Sequence, residues 1–140
     1  MSRRRAPAVS AGTVLLDSEA LSRVVNGDPR FHALIIAAPE LDTAVATSAM
    51  TLLEAWNPQC KPRLWEWAMS RIKVLHTDDA VVIQARQLMT AAGMHGHKYA
   101  IDAILAAFAC RIPGPVVLYT SDFDDLSRLL DGCHVTVKAV

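Results

Sequence analysis

Only three cysteines occur in the 140 residues, Cys60, Cys110 and Cys133, an odd number without paired short spacing. Neither a disulfide framework nor a CxxC metal site is indicated, and a reducing cytoplasm is the expected compartment. Also missing is any apolar run approaching the ~18 residues of a membrane span. The basic start, MSRRRAPAVS, has no apolar segment behind it, because TVLL meets Asp17 after four residues. Neither export nor membrane insertion is expected. A basic surface is lacking too: with Arg3, Arg4 and Arg5 set aside, eleven positive charges face fourteen negative ones. A protein that grips nucleic acid mainly through a cationic face has the opposite balance. Any such contact must be local or must recruit cations. Repeats and low-complexity tracts are absent as well.

What is present suits one compact domain. Apolar residues make up 52% of the chain and charged residues 20%, and a domain of this size buries roughly two thirds of the surface of its unfolded chain. Residues 1–12 are expected to form a flexible basic segment and residues 13–140 the domain. GTVLLD reads as a strand buried on both faces, TAVATS, KVLHT and VVLYT as further strands, and HVTVKAV as a closing strand. Between them lie helical stretches: SEALSRVV stopped by Gly27, a segment capped by Asp28 with Pro29 at its first position, and one capped by Ser48. RLWEWAMSRI follows the loop NPQCKP, DAVVIQARQLMTAA is stopped by Gly93, and KYAIDAILAAFACR and DFDDLSRLL complete the set. Alternating strands and helices predict an α/β domain, a three-layer α/β/α sandwich around a mostly parallel sheet.

In such a sheet, sites form outside the carboxyl ends of the strands. Asp17 ends the first strand and Asp122 follows VVLYTS, so both arrive at that edge. Each could serve merely as a helix N-cap. Glu54 in TSAMTLLEAW and Asp102 in AIDAILAAFA sit among apolar neighbours, on faces that read as core, where acids need a partner. No basic residue lies within four positions of Glu54, and only Lys98 lies that near Asp102. Oxygen-only ligands that converge without compensating cations select a hard divalent ion such as Mg²⁺ or Mn²⁺.

The ordered motifs VLLDSEAL, TSAMTLLEAW, HKYAIDAILAAFA and VVLYTSDFDDL resemble the PIN domain, in particular the VapC-type toxins of bacterial toxin–antitoxin pairs, from Thr13 to Val140. The resemblance implies that Asp17, Glu54, Asp102 and Asp122 are the catalytic acids holding Mg²⁺ or Mn²⁺, with Asp125 as an additional outer acid ahead of Asp124. Ser18, Ser48, Thr120 and Ser121 would support them through hydrogen bonds. It further implies endoribonuclease cleavage of RNA, single-stranded or structured, leaving 3′-hydroxyl and 5′-phosphate ends. The implied partners are a cognate antitoxin, in a homodimer or a toxin–antitoxin hetero-oligomer. Glu19 departs from the family pattern, which has a small polar residue there.

Two other readings compete. A phosphatase using Asp17 as nucleophile wants an Asp two residues on, where Glu19 stands. A catalytically weak PIN-like module would bind RNA or protein without cutting. Among the remaining residues, His95 and His97 in a Gly-bearing loop read as surface, and Lys98 reads as a solvated lysine or a phosphate contact. Trp56, Trp65 and Trp67 read as core or interface, Trp65 and Trp67 being unable to share one helix face.

Overall fold

A computed structural model describes residues 11–140. Apart from Ala11 and Gly12, the expected basic segment lies outside the described residues, and Gly12 already opens the first strand. The strands are β1 (Gly12–Leu16), β2 (Thr43–Ser48), β3 (Lys73–Leu75), β4 (Val116–Thr120) and β5 (Val135–Ala139). The helices are α1 (Ser18–Val25), α2 (Pro29–Ala37), α3 (Ala49–Ala55), α4 (Pro62–Arg71), α5 (Asp79–Ala92), α6 (Gly96–Arg111) and α7 (Phe123–Leu129). A 3-10 turn at Ala38–Leu41, around Pro39, closes α2.

All five strands run parallel in the order β3-β2-β1-β4-β5. The chain lays β2 and β3 to one side of β1, then crosses over to lay β4 and β5 on the other. β1 and β4 are therefore the pair at which the winding reverses, with Leu15 opposite Leu118 and Leu16 opposite Tyr119. At such a switch point the helices leaving neighbouring strands diverge and open a crevice beyond the carboxyl ends.

Alternation along the strands builds three layers. Leu15, Ala46 and Leu118 point into one core, covered by α5, α6 and α7 through Ala85, Ala103, Ala106 and Leu126. Leu16 and Val45 point the other way, into a second core with Leu21, Val24, Phe31, Ile35 and Ala68 of α1, α2 and α4. Each fully buried leucine or isoleucine contributes on the order of 2 kcal/mol by leaving water. The alanine-rich face of α6 lets that helix lie close on the sheet, which draws its acid in with it.

Most local signals act as the sequence predicts. Asp28 caps α2 through the N–H groups of Arg30 and Phe31, with Pro29 in the first turn. Asp78 caps α5, accepting from the Val81 N–H at 2.9 Å. Gly93, at φ 69°, takes the left-handed position that ends α5.

Two expectations are corrected. Cys110 and Cys133 form a disulfide, 23 residues apart in sequence with Cα atoms 5.7 Å apart. Cys110 ends α6 and Cys133 precedes β5, and both segments lead into strands at the amino edge of the sheet, so the topology brings together what the spacing did not pair. The argument for a reducing compartment loses that support. The second correction concerns Glu54, which is exposed. Helix α3 buries Thr51 and Ala55 but leaves Met50, Leu53 and Trp56 open, Leu53 at 68%. Its apolar run is a half-covered surface.

Candidate active site

The carboxyl edge of the sheet gathers five acids from four segments. Asp17 directly follows β1, Glu54 stands on α3, Asp102 on the second turn of α6, and Asp122 and Asp125 begin α7.

Asp17 is the most constrained of them, only 3% exposed. Its Oδ1 accepts the Ala20 N–H at 2.8 Å, capping α1, and its Oδ2 accepts the Ser121 N–H at 2.9 Å from the loop after β4. The cap reading and the site reading hold together, since each oxygen keeps a second lone pair for another partner. Asp122 is different. Although it sits at the N-cap of α7, its side chain makes no capping bond. Its own N–H donates to Thr120 Oγ1 at 2.8 Å, and the carboxylate is exposed.

Hydroxyl groups brace the edge. Ser48 Oγ accepts the Thr51 N–H at 2.9 Å and pairs with Thr51 Oγ1 at 2.8 Å, fixing the start of the helix that carries Glu54. Thr47 Oγ1 donates to the Leu16 carbonyl at 2.8 Å, tying β2 to the residue before Asp17. Of the expected supporting residues, Ser48 acts through α3, Thr120 through the Asp122 backbone, and Ser121 through its own N–H rather than its hydroxyl. Ser18, half-buried, makes no recorded side-chain bond. Thr47 and Thr51 were not anticipated, although the spacing of Ser48 and Thr51 is that of a helix cap and its third residue.

Electrostatics bind the acids into one group. Burial first, and then the negative charges of Asp122, Asp17, Glu54 and Asp125, push Asp102 up to about 7. Asp122 is raised as well, by partial desolvation and by Asp17, Asp125 and Glu54, with Lys98 pulling the other way. Asp125 acts on both and Asp124 on neither. Glu19 is turned aside, 3.5 Å from Arg23.

Among the described residues, no three His, Cys, Asp or Glu side chains are drawn into a group that could hold a metal ion as they stand. The acids share a field rather than a ready-made chelate. Oxygen donors of this kind suit a hard divalent ion that keeps several of its waters. The donor set is all oxygen, and His95 and His97 are exposed at the start of α6. An open depression of about 330 Å³ lies along Ser121, Asp122, Phe123, Asp124 and Asp125. A smaller cavity of about 210 Å³ lies at the other end of the strands, lined by Thr13, Ala44 and Lys73 among others, and holds none of the acids.

The tryptophans divide as their spacing requires. Trp65 meets Trp56 edge-on at 4.8 Å, whereas Trp67 stacks on His32 at 4.3 Å. Trp56 is 51% exposed.

A five-stranded parallel α/β/α sandwich with acids gathered at its switch point defines the class of fold. Residues 14–129 match the PIN domain family, and the chain belongs to it. PIN domains are in general nucleases that use divalent metals. Among solved structures, the chain is similar to one described as the crystal structure of VapBC2 from Rickettsia felis bound to a DNA fragment from their promoter. The identity is 14%, with 91% of this chain and 98% of that chain covered, at a TM-score of 0.65. At that identity the likeness shows the fold. No curated protein matches significantly. Among the described residues, no helix is long and apolar enough to cross a membrane.

Proposed function

We propose that this protein is a divalent-metal-dependent endoribonuclease of the VapC type, the toxin of a toxin–antitoxin pair. The observation that carries the reading is Asp102, half-buried at the carboxyl edge, where burial and the negative charges of four further carboxylates raise it together. Carboxylates that repel in this way either hold a proton or take up a cation, and a perturbed acid of this kind at a sheet edge marks a functional site.

Asp17, Glu54, Asp102 and Asp122 would hold Mg²⁺ or Mn²⁺, with Asp125 at the outer side. The bound ion supplies charge neutralisation at the phosphate and eases deprotonation of an attacking water. The chain's own residues fix where this happens. Asp17, locked by two hydrogen bonds, sets the floor of the site. Asp102 is held on its helix by the packed alanine face. Asp122, exposed and uncommitted, reaches toward solvent and the incoming RNA. The half-covered flank of α3, with Met50, Leu53 and Trp56 beside Glu54, suits an apolar antitoxin segment laid across the acids, and the VapBC2 likeness supports such a pairing. The assembly would be a homodimer or a toxin–antitoxin hetero-oligomer, acting on RNA in the cytoplasm.

The test is cleavage of single-stranded RNA by the purified protein with Mg²⁺ or Mn²⁺, set against Asp102→Asn. Loss of about 10²-fold or more is expected. Undiminished cleavage by the variant removes Asp102 from the chemistry. Absence of divalent-ion binding in calorimetry favours the non-cutting RNA- or protein-binding module instead.

A further inference from the structure

Lys98 and Asp102 lie four residues apart on α6, so they share one face of the helix a turn apart, with Lys98 on the N-terminal side. Side chains on a helix lean toward its N-terminus, which carries the Lys98 ammonium away from Asp102 toward the open edge. There it stands 5.2 Å from the centre of the Tyr99 ring. Lys98 is exposed, and among the described residues the only ion pairs are those of Arg23 with Glu19 and Asp28, so no carboxylate holds it. Its field also lowers Asp122 against the acids that raise it. The body of the chain carries more negative than positive charge. A polyanion approaching the acids meets repulsion that a bound metal, or this lysine, offsets.

We propose that Lys98 positions the RNA strand by taking a backbone phosphate beside the scissile one, while the acidic cluster serves the scissile phosphate itself. The proposal rests on the nuclease reading of the site. It makes Lys98 a positioning residue: it touches the substrate backbone, reads no base, and transfers no proton. A single ammonium with three rotatable donors suits a phosphate oxygen whose exact angle varies along a flexible strand. Sequence preference, where the enzyme has any, must come from elsewhere, because phosphate contacts position and base contacts specify.

Binding is measured by fluorescence anisotropy of labelled oligo-A and oligo-U RNA, with Ca²⁺ in place of Mg²⁺, on the full chain. Lys98→Gln is expected to weaken both oligonucleotides equally, by about tenfold. It should also lower the slope of log affinity against log salt by about 0.7, the value for one phosphate on a single strand. Lys98→Arg restores most of the affinity, and Lys73→Gln, a charge removed at the amino end of β3, leaves the slope unchanged. With Mg²⁺, the fall in kcat/KM of Lys98→Gln appears in KM. Unchanged affinity and slope overturn the proposal. So does a fall in kcat at constant KM with tighter Mn²⁺ binding, which makes Lys98 a charge-balancing neighbour of Asp122. A wild type that binds RNA through Lys98 but does not cut it upholds this inference and sinks the nuclease reading. A wild type that cuts while Lys98→Gln binds as tightly does the reverse.

Discussion

Asp17 and Ser121, 104 residues apart, are joined by a 2.9 Å hydrogen bond from the Ser121 N–H to Asp17 Oδ2. The bond spans the two strands at which the sheet reverses its winding, and the same side chain caps α1 with its other oxygen. A residue of the acidic group is thereby also a structural tie between the two halves of the sheet.

Asp17 and Asp122 should consequently separate in their effects on stability. Asp17→Ala leaves two backbone N–H groups without their acceptor in a buried place, and a loss of about 2–4 kcal/mol is expected. Asp122→Ala removes an exposed carboxylate that caps nothing, and its change should stay within about 0.5 kcal/mol. Urea unfolding at constant slope reads both. Equal losses in the two variants would contradict the geometry.

Asp102 gives a signed pH dependence. Its folded pKa, about 7, lies above the ordinary value of 3.8, so between those values the folded chain binds a proton that the unfolded chain has released. Stability from this group is present below pH 3.8 and falls as pH rises toward 7. Asp122 shifts in the same direction. In chelator, thermal melts from pH 4.5 to 8 should show a midpoint declining with pH, and Asp102→Asn should flatten that slope while raising the midpoint near neutrality.

Metal and proton compete for the same oxygens. The affinity for Mn²⁺ should rise as pH passes through about 7, with protons released on binding. At a free metal concentration ten times Kd, binding adds about 1.4 kcal/mol, or roughly 3–6 °C in the melting midpoint of a domain this size. Calorimetry in two buffers of different ionisation enthalpy counts the protons. An affinity that does not vary with pH would separate Asp102 from the metal.

The Cys110–Cys133 disulfide closes a loop of 23 residues. By chain entropy such a bridge contributes about 3 kcal/mol. Reduction, or Cys110→Ser, should lower the urea midpoint accordingly. Because the bridge lies at the opposite edge from the acids, RNA cleavage at temperatures well below the melt should persist.

Much of this architecture was readable from the chain. Strongly periodic stretches and their caps, such as Asp28 with Pro29, mark the elements, and an acid directly after an apolar strand, as at Asp17 and Asp122, needs only the parallel topology to become an edge residue. Glu54 was readable as a member of the acidic group but not in its surroundings. Periodicity reports that a helix has an apolar face, not whether another layer covers it, and α3 ends at the rim of the sandwich. Thr47 looks like an ordinary small polar residue until the strands it ties are placed. The disulfide depends on where two loops meet, a property of topology that cysteine spacing does not encode.

The sheet order carries one more consequence. Strands β1 to β3 come from the first part of the chain and β4 and β5 from the last, and they meet along a seam that runs through β1 against β4 in the sheet and α5 against α6 in the helical layer. Asp17 and Glu54 belong to one side of that seam, and Asp102, Asp122 and Asp125 to the other. A protein severed in the Gly93–His95 connection would therefore yield two inert fragments whose recombination restores the missing strand partner and the missing acids in the same event, a built-in design for a split reporter of assembly.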